Sequence, residues 1–469
     1  MKKRLQLFTV VILLIGNKVN AQTQLRGTTQ AGGTGDNGLL YTISNGYTYA
    51  VAHEFTGAAD GKQPTGSLCY ANNGFIYGTT YNGGTTNNGV CFKINPSTLS
   101  FTKIYDFTAN TGINPQYGLI KGNDGNLYGT CLNGGTTGNG VLFKIDPLTD
   151  TYSVLYHFNL TSGTGPIICQ WVNNKLYGTT YYQGLHGLGT IFSYDLLTSA
   201  FVILHNNDSI TGGGGGSILQ VNGGKLIGTA GNLLTGPNGL GTLYSYDLTT
   251  NVRSVLFNFD TIQGIIPSIK FIEGNDGKIY GTTTYGGANN GPVPFYGDGV
   301  IYSFDLSNNT YQLLYNMDFN ISAANCQGGM MQATNGLLYA AAYFGGSALK
   351  GNIYSFDINS NAFTIIEDFT INMGKHPSSQ LLEVPIITAL AKNINGDLLK
   401  IWPNPAQDVI IIDNTDKASK AICIDILGRE IEQIQLAGFG KTKVDVSAYP
   451  NVFFVKSNNG EVIKVMRNN

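Results

Sequence analysis

The chain has 469 residues, a formal net charge of −2, and charged side chains at only 12% of its positions. It carries no basic stripe of the kind that nucleic acid demands, so we expect no nucleic-acid partner. The 63 glycines, 27 tyrosines and 23 phenylalanines favour short strands joined by tight turns.

The first 21 residues have the pattern of a secretory signal peptide. Basic residues 2–4 precede an apolar run at 7–15, and small residues then offer a cleavage site between Ala21 and Gln22. The alternative is a membrane anchor, but the apolar run is too short to span a bilayer. No later segment is long and apolar enough, so we expect no transmembrane segment in the mature chain.

A repeat with a period near fifty residues then begins. One copy reads Tyr77-Gly78-Thr79-Thr80 and is followed by the pair Gly83-Gly84. The glycine before the threonine, or an alanine in the last copy, recurs at positions 27, 78, 129, 178, 228, 281 and 340. Such a period, with strands in every unit, indicates a repeat architecture.

Each copy predicts four antiparallel strands. In the second copy they are residues 68–71, 75–81, 90–94 and 101–107, separated by turns rich in Asn and Gly. Four such strands in about 45 residues make one blade of a β-propeller. We therefore predict an all-β fold in which residues 22–384 form a seven-bladed propeller.

The ends of the repeat region predict that the ring closes. The first copy starts at its second strand, near residue 24, and a surplus first strand at 379–384 follows the last copy. A blade shared between the two ends would use both pieces and would remove the exposed sheet edges of an open array.

Two kinds of side chain recur with the blades. A phenylalanine is expected to end the fourth strand and to pack between blades, and an aspartate follows the third strand, where it bonds the local backbone of a turn. The phenylalanines are Phe55, Phe107, Phe158, Phe259, Phe319 and Phe369, and the aspartates are Asp146, Asp195, Asp247, Asp305 and Asp357.

The repeat resembles the GloVer tandem repeat of exported bacterial proteins, through its Tyr-Gly-Thr-Thr, Gly-Gly and Phe-x-x-Asp runs over residues 22–384. Its paired glycines are distantly similar to those of a kelch blade. The fifth copy lacks the Gly-Gly pair, and the seventh has Ala340-Ala341-Ala342 in place of Gly-Thr-Thr, so these two blades should deviate most. The resemblance implies no established activity.

The composition changes after the repeats. Residues 385–398 have the character of a linker, and residues 399–469 predict short alternating strands of a small β-sandwich. This tail resembles the type A C-terminal sorting domain of the type IX secretion system of Bacteroidetes-type bacteria. The resemblance is carried by Pro403-Asn404-Pro405, Gly428-Arg429 and the run at 444–447, although Asn451-Val452-Phe453 replaces the usual Gly-x-Tyr.

That resemblance implies the type IX secretion machinery as a partner. It also implies export to the extracellular face of the outer membrane of a Gram-negative bacterium, removal of the tail, and attachment to surface lipopolysaccharide in many cases. The alternative interpretation of the tail is a carbohydrate-binding sandwich.

The sequence predicts no catalytic residue, no cofactor and no metal site. His53, His157 and His205 stand near the ends of fourth strands, where packing is the simpler role, and no zinc-binding motif occurs. The six cysteines show no C-x-x-C pair; Cys69 and Cys169 belong to non-adjacent repeats and should lie far apart, as buried free thiols. An alternative keeps enzymatic function open, because the off-repeat acids Asp60, Glu273, Asp298 and Asp318 could meet across a channel.

The candidate binding residues are Phe295, Tyr296, Asp298, Tyr181 and Tyr182. They stand in the loops between the second and third strands or just before them, among Gly, Asn and Thr. Aromatic rings among amides and hydroxyls suit a carbohydrate, although the same rings could simply pack the fold. The leading hypothesis is an exported, surface-displayed or released propeller that binds a glycan or a protein; the alternative is a polysaccharide hydrolase or lyase.

Overall fold

The computed structural model describes residues 23–44, 46–221, 224–231, 238–288, 297–385, 399–402, 409–414, 420–425, 429–436, 440–450, 452–457 and 462–466. Several predictions fall elsewhere. The signal peptide with its cleavage site at Ala21 and Gln22, the candidate binding residues Phe295 and Tyr296, most of the linker, and the sorting residues Pro403, Asn404, Pro405 and Gly428 lie outside the described residues.

Every regular element in these ranges is a β-strand, as predicted. The chain forms two compact units, of which the first spans Thr23–Val384 and the second falls within Pro385–Asn469. Across the described ranges, the structure contains no helix of the length and apolarity needed to cross a membrane.

The first unit consists of sheets of four successive antiparallel strands, numbered 1 to 7 here and given with the first strand first. Sheets 1 and 6 have a first strand in two segments. The strands are Lys375–Pro377 with Leu382–Pro385, Thr23–Ala31, Leu39–Ile43 and Tyr49–Glu54 in sheet 1; Cys69–Tyr70, Ile76–Thr79, Val90–Ile94 and Phe101–Asp106 in sheet 2; Leu119–Lys121, Leu127–Cys131, Val141–Asp146 and Thr151–His157 in sheet 3; Thr164–Val172, Lys175–Tyr182, Thr190–Asp195 and Phe201–Asn206 in sheet 4; Ile218–Val221, Lys225–Ala230, Thr242–Asp247 and Val252–Asn258 in sheet 5; Ile265–Pro267 with Ile272–Glu273, Ile279–Tyr285, Val300–Asp305 and Thr310–Asn316 in sheet 6; and Met330–Gln332, Leu338–Ala342, Asn352–Asp357 and Ala362–Asp368 in sheet 7.

The repeated glycine makes room for an aromatic ring of the third strand. Gly78 pairs with Phe92 across the two strands, and a Cβ atom on Gly78 would lie 2.5 Å from the Phe92 ring. A Cβ atom there would press against the ring, and glycine avoids this contact. The same pairing occurs between Gly27 and Tyr41, Gly129 and Phe143, Gly178 and Phe192, Gly228 and Tyr244, and Gly281 and Tyr302. Sheet 7 differs, because Ala340 pairs with Tyr354 at the equivalent position.

The threonine that follows this glycine connects neighbouring sheets. Its buried hydroxyl donates a hydrogen bond to a backbone carbonyl at the start of the next sheet, over 2.7 to 3.5 Å. The pairs are Thr28 with Pro64, Thr79 with Pro115, Thr179 with Gly216, Thr229 with Ser268, and Thr282 with Cys326. Thr130 is the exception, since its buried hydroxyl has no partner among the described residues.

Hydrophobic clusters join each sheet to the next and finally join sheet 7 to sheet 1. They include Phe55 with Leu68, Tyr77 with Phe143, Phe158 with Leu176, Tyr177 with Leu226, Phe259 with Ile279, Met317 with Leu338, and Phe369 with Leu25. The sheets therefore close into a ring. The count of seven blades stays a prediction of the repeat spacing.

The structure corrects two details of this packing. Met317 directly follows the fourth strand of sheet 6 and is fully buried, so the prediction that gave this packing role to Phe319 was wrong by two residues. The closing strand is also not the continuous 379–384 segment: its first part, Lys375–Pro377, pairs with Thr23–Ala31, and the second part is Leu382–Pro385. Between them, the Ser379 hydroxyl accepts a hydrogen bond from the Thr28 backbone at 3.1 Å.

The recurrent polar residues have the structural roles that the sequence predicts. The Asp195 carboxylate accepts hydrogen bonds from the backbone of Leu197 and Thr198 at 2.9 and 3.1 Å, and the other recurrent aspartates bond their own turns similarly. His53 stacks on Phe101 of the next sheet, with ring centroids 4.1 Å apart. The His157 ring accepts a backbone hydrogen bond from Thr136.

The second unit is a small sandwich of two sheets. One sheet contains Leu399–Trp402, Val409–Asn414 and Gly440–Asp445, and the other contains Glu430–Gln435, Lys420–Asp425, Val452–Ser457 and Val462–Met466. Ile410, Val444 and Phe453 belong to the shared hydrophobic core. The sorting residue Arg429 directly precedes the strand Glu430–Gln435, and its Nε atom lies 2.6 Å from the Asp425 carboxylate.

Ring closure predicts a large loss of stability when the closing strand is removed. A chain that ends at residue 374 leaves the strand Thr23–Ala31 with an unpaired edge, so its free energy of unfolding should fall by more than the ~1 kcal/mol of an ordinary point substitution. A chain that ends at residue 385 keeps the closing strand and is the matched control. Equal melting temperatures for the two truncated chains would contradict a closed ring.

The threonine link predicts that two similar substitutions differ in effect. Thr28→Val leaves the buried Pro64 carbonyl without its 2.7 Å donor and should cost about 1 kcal/mol. Thr130→Val removes a buried hydroxyl that has no partner among the described residues, so it should be neutral or slightly stabilising. Urea denaturation of both variants measures the difference, and equal losses would refute the link.

Candidate functional site

Segments next to the first strands of several sheets surround a cavity, which we call the channel pocket. It has a volume of about 320 Å³ and is lined by Gln30, Thr65, Ser67, Gln116, Tyr117, Ile269, Lys270, Gln327, Gly328, Tyr343 and Ser378. Amides and hydroxyls dominate this lining. Lys270 is the one charged residue among the described residues that line it.

Lys270 is held inside the ring by contacts with other sheets. Its Nζ atom donates a hydrogen bond to the Ser67 hydroxyl, which also accepts one from the Gln380 backbone at 3.2 Å. Burial lowers the pKa of the Lys270 ammonium to about 8, because the surrounding protein disfavours the charged form. A residual accessible surface shows that the side chain still borders the open pocket.

Cys69 and Cys169 belong to the first strands of sheets 2 and 4, which are not adjacent in the chain. The expectation that these two cysteines lie far apart stays a prediction. Both are free thiols, and burial raises the pKa of each to about 11.

The rim of the channel pocket presents oriented hydrogen-bonding groups. The Tyr343 hydroxyl donates to the Gln30 side-chain oxygen at 3.0 Å, so the Gln30 amide nitrogen is the group that can donate to a ligand. The Gln327 amide nitrogen donates to Asn325 at 2.7 Å, which leaves the Gln327 oxygen as an acceptor. The pocket therefore offers both donors and acceptors beside one cation.

A second cavity adjoins the first, and we call it the tyrosine groove. Its volume is about 340 Å³, and its lining is Gln116, Tyr117, Leu132, Asn133, Gly138, Asn139, Thr164, Gly165, Tyr181 and Tyr182. Gln116 and Tyr117 line both cavities. The rings of Tyr181 and Tyr182 lie 4.8 Å apart, and Tyr182 is 54% exposed.

Asp298 lies in a different cavity from the two tyrosines. That cavity of about 290 Å³ also contains Tyr285, Phe319 and Phe344 in its lining. Asp298 is buried, and its Oδ2 atom accepts a hydrogen bond from the Phe319 backbone at 2.9 Å. Burial raises the pKa of the Asp298 carboxyl, and the nearby Asp318 charge adds to the rise. The candidate residues of sheets 4 and 6 thus do not form one site.

The other off-repeat acids are engaged locally or exposed. Asp60 lies 3.1 Å from the His53 ring and accepts hydrogen bonds from Thr56. Asp318 accepts a backbone hydrogen bond from Asn320 within its own turn, and Glu273 is exposed. None of the four acids belongs to the described lining of the channel pocket.

Sequence reasoning missed Lys270, although a signal for it exists. Ten residues before the repeated tyrosine stand Ser67, Gly118 and Gly329 in three copies, but Lys270 in the sixth. The fourth copy has Ile167 and the fifth has Ser217 there, so Lys270 is the one charged residue at this position in the second to seventh copies. Gly329 explains how it fits, since a Cβ atom on Gly329 would lie 2.3 Å from the Lys270 Cβ atom.

Two protein-family models match parts of this chain. Residues 16–170 match the Gloeobacter/Verrucomicrobia repeat, and residues 400–467 match the secretion system C-terminal sorting domain. The chain therefore contains a segment that matches this repeat and a type IX C-terminal sorting domain. Such a tail indicates export by the type IX secretion system to the cell surface or the extracellular space. No curated protein matches the chain.

Solved structures support the propeller fold of this repeat protein. A periplasmic gluconolactonase of Pseudomonas aeruginosa has 13% identity and a TM-score of 0.51, with 77% of this chain and 99% of that chain covered. A Bacteroides fragilis protein described as a 6-phosphogluconolactonase has 13% identity and a TM-score of 0.51, with 78% and 99% covered.

The sorting tail predicts where a truncated chain accumulates. A chain without residues 399–469 should fold but stay in the periplasm, because the tail acts as an address and lies outside the unit Thr23–Val384. Cell fractionation and immunoblotting measure the distribution. The control is a passive reporter with a signal peptide and residues 399–469, which should reach the surface or medium. Normal export of the truncated chain would refute the role of the tail.

Proposed function

We propose that this protein is an exported binding module whose propeller holds an oligosaccharide in the tyrosine groove. The observation that carries the proposal is the exposed ring of Tyr182, which stands beside Tyr181. The same cavity is also lined by a third tyrosine, a leucine, three side-chain amides, a threonine and two glycines. Flat aromatic rings pack on the apolar faces of sugar rings, and amides bond sugar hydroxyls.

The dimensions of the groove support a small ligand. Its volume of about 340 Å³ falls within the range of about 300 to 1,000 Å³ that is usual for ligand pockets. The groove opens beside the loop between the second and third strands of sheet 3, through Asn133, Gly138 and Asn139. Loops on a rigid scaffold are frequent places for binding residues.

The alternative function is a polysaccharide hydrolase or lyase. Its support is the cavity of Asp298, where a carboxyl of raised pKa lies near a second carboxylate, Asp318. Paired carboxyl groups in unlike environments can serve as acid and base. The binding hypothesis has the stronger support, because the four off-repeat acids are absent from the described lining of the channel pocket, where the alternative requires them.

A glycan array followed by calorimetry tests the binding function. Tyr182→Ala should weaken the affinity for the best glycan about tenfold, since an aromatic contact contributes about 0.5–1.5 kcal/mol beyond the area it buries. Tyr47→Ala is the matched control, because Tyr47 is also exposed but stands in the turn between the third and fourth strands of sheet 1. An unchanged affinity in Tyr182→Ala would contradict the groove as the site.

The same glycans, incubated with the protein and analysed for shorter products, separate the two functions. The binding module should leave them intact. Product formation that disappears in Asp298→Asn would instead establish the enzyme.

A further inference from the structure

We propose that the channel pocket binds the acidic group of an anionic oligosaccharide, with the Lys270 ammonium as its counter-charge. This inference rests on the proposed function, because the tyrosine groove would hold the neighbouring sugar of the same ligand. The two cavities share Gln116 and Tyr117, so one ligand of two or three sugar units can extend through both.

The charge of the pocket supports an anionic ligand. Lys270 has no carboxylate within salt-bridge distance among the described residues, and it is the one charged group of the described lining. An ammonium taken partly out of water without an opposite charge is costly. A bound anion would offset that cost, so the pocket should prefer acidic over neutral ligands.

The ammonium is positioned to receive such a group. One of its three protons is directed to the Ser67 hydroxyl, and the other two remain for a ligand in the pocket. Close packing of the Lys270 backbone and Cβ atom against Gly329 fixes where the side chain begins. The neighbouring Gln30 and Gln327 amides supply hydrogen bonds for sugar hydroxyls.

The charges of the other titratable groups around Lys270 do not change near neutral pH. Burial raises the pKa of Cys69 and of Cys169 to about 11, and it also raises the pKa of Tyr117 and of Tyr343. These four groups are uncharged at pH 7, while Lys270, with a pKa of about 8, is mostly protonated. The positive charge of the pocket should therefore decline as the pH rises above 8.

The test compares one oligosaccharide of uronic acids with the same oligosaccharide after methyl esterification of its carboxylates. Calorimetry at pH 7 should show at least tenfold tighter binding of the acidic form to the wild-type protein, as for a pair of favourable charge-assisted hydrogen bonds. Lys270→Met should remove this preference and leave the affinity for the ester unchanged. Lys270→Arg should retain most of the preference. A sulfated oligosaccharide distinguishes carboxylate selectivity from a general preference for anions.

A second measurement needs no variant. The preference of the wild-type protein for the acidic form should fall as the pH rises from 7 to 10, because the ammonium loses its proton over this range. A preference that persists in Lys270→Met, or that does not change with pH, would overturn the inference.

The outcomes also separate this inference from the proposed function. If the ester and the acid bind equally and Tyr182→Ala weakens both, the groove binds sugar and the role of Lys270 is wrong. If the wild-type protein binds neither form and no glycan on an array, both proposals are wrong.

Discussion

The structure depends on one local contact, the packing of an aromatic ring of the third strand onto a glycine of the second strand. Residues alternate in direction along a strand, so the tyrosine and threonine beside this glycine face the next sheet. Tyr77 and Thr79 show this arrangement: their hydroxyls reach Asp150 and the Pro115 carbonyl, both of the following repeat. The Tyr-Gly-Thr motif thus has two roles: its glycine accommodates a ring within its own sheet, and its tyrosine and threonine bond the next sheet.

This arrangement places the variable residues at the centre of the ring. Several threonine bonds attach to the segments that lead into first strands, and residues of these segments line the channel pocket. The second to fourth strands of each sheet supply the contacts that hold the ring together. The side chains that face the channel can therefore differ between copies without opening the ring. Lys270 occupies the position of Ser67 and Gly329, and it turns a channel of uncharged groups into one with a single positive charge in the described lining.

Much of the fold follows from the sequence because repetition averages out local ambiguity. The period, the strand order within each repeat and the roles of the turn aspartates could all be predicted from the sequence. The packing residue after the fourth strand of sheet 6 could not be predicted in the same way, because a two-residue offset at the end of a strand leaves the periodic pattern unchanged. The structure buries Met317 there instead of Phe319. The site is still less predictable: Lys270, Gln30 and Tyr117 lie in different repeats, and only ring closure brings them together.

The function proposed for the channel pocket requires that the negative charge of a ligand contacts the Lys270 ammonium. Carbon-13 labelling of the lysine ε-methylene groups, with Lys270→Met to assign the signal, allows NMR titration of this single ammonium with and without an acidic oligosaccharide. Lys270 should have a pKa of about 8 in the free protein and a higher pKa in the complex, because the bound anion stabilises the protonated form. A pKa that is the same in the free and bound states would contradict it.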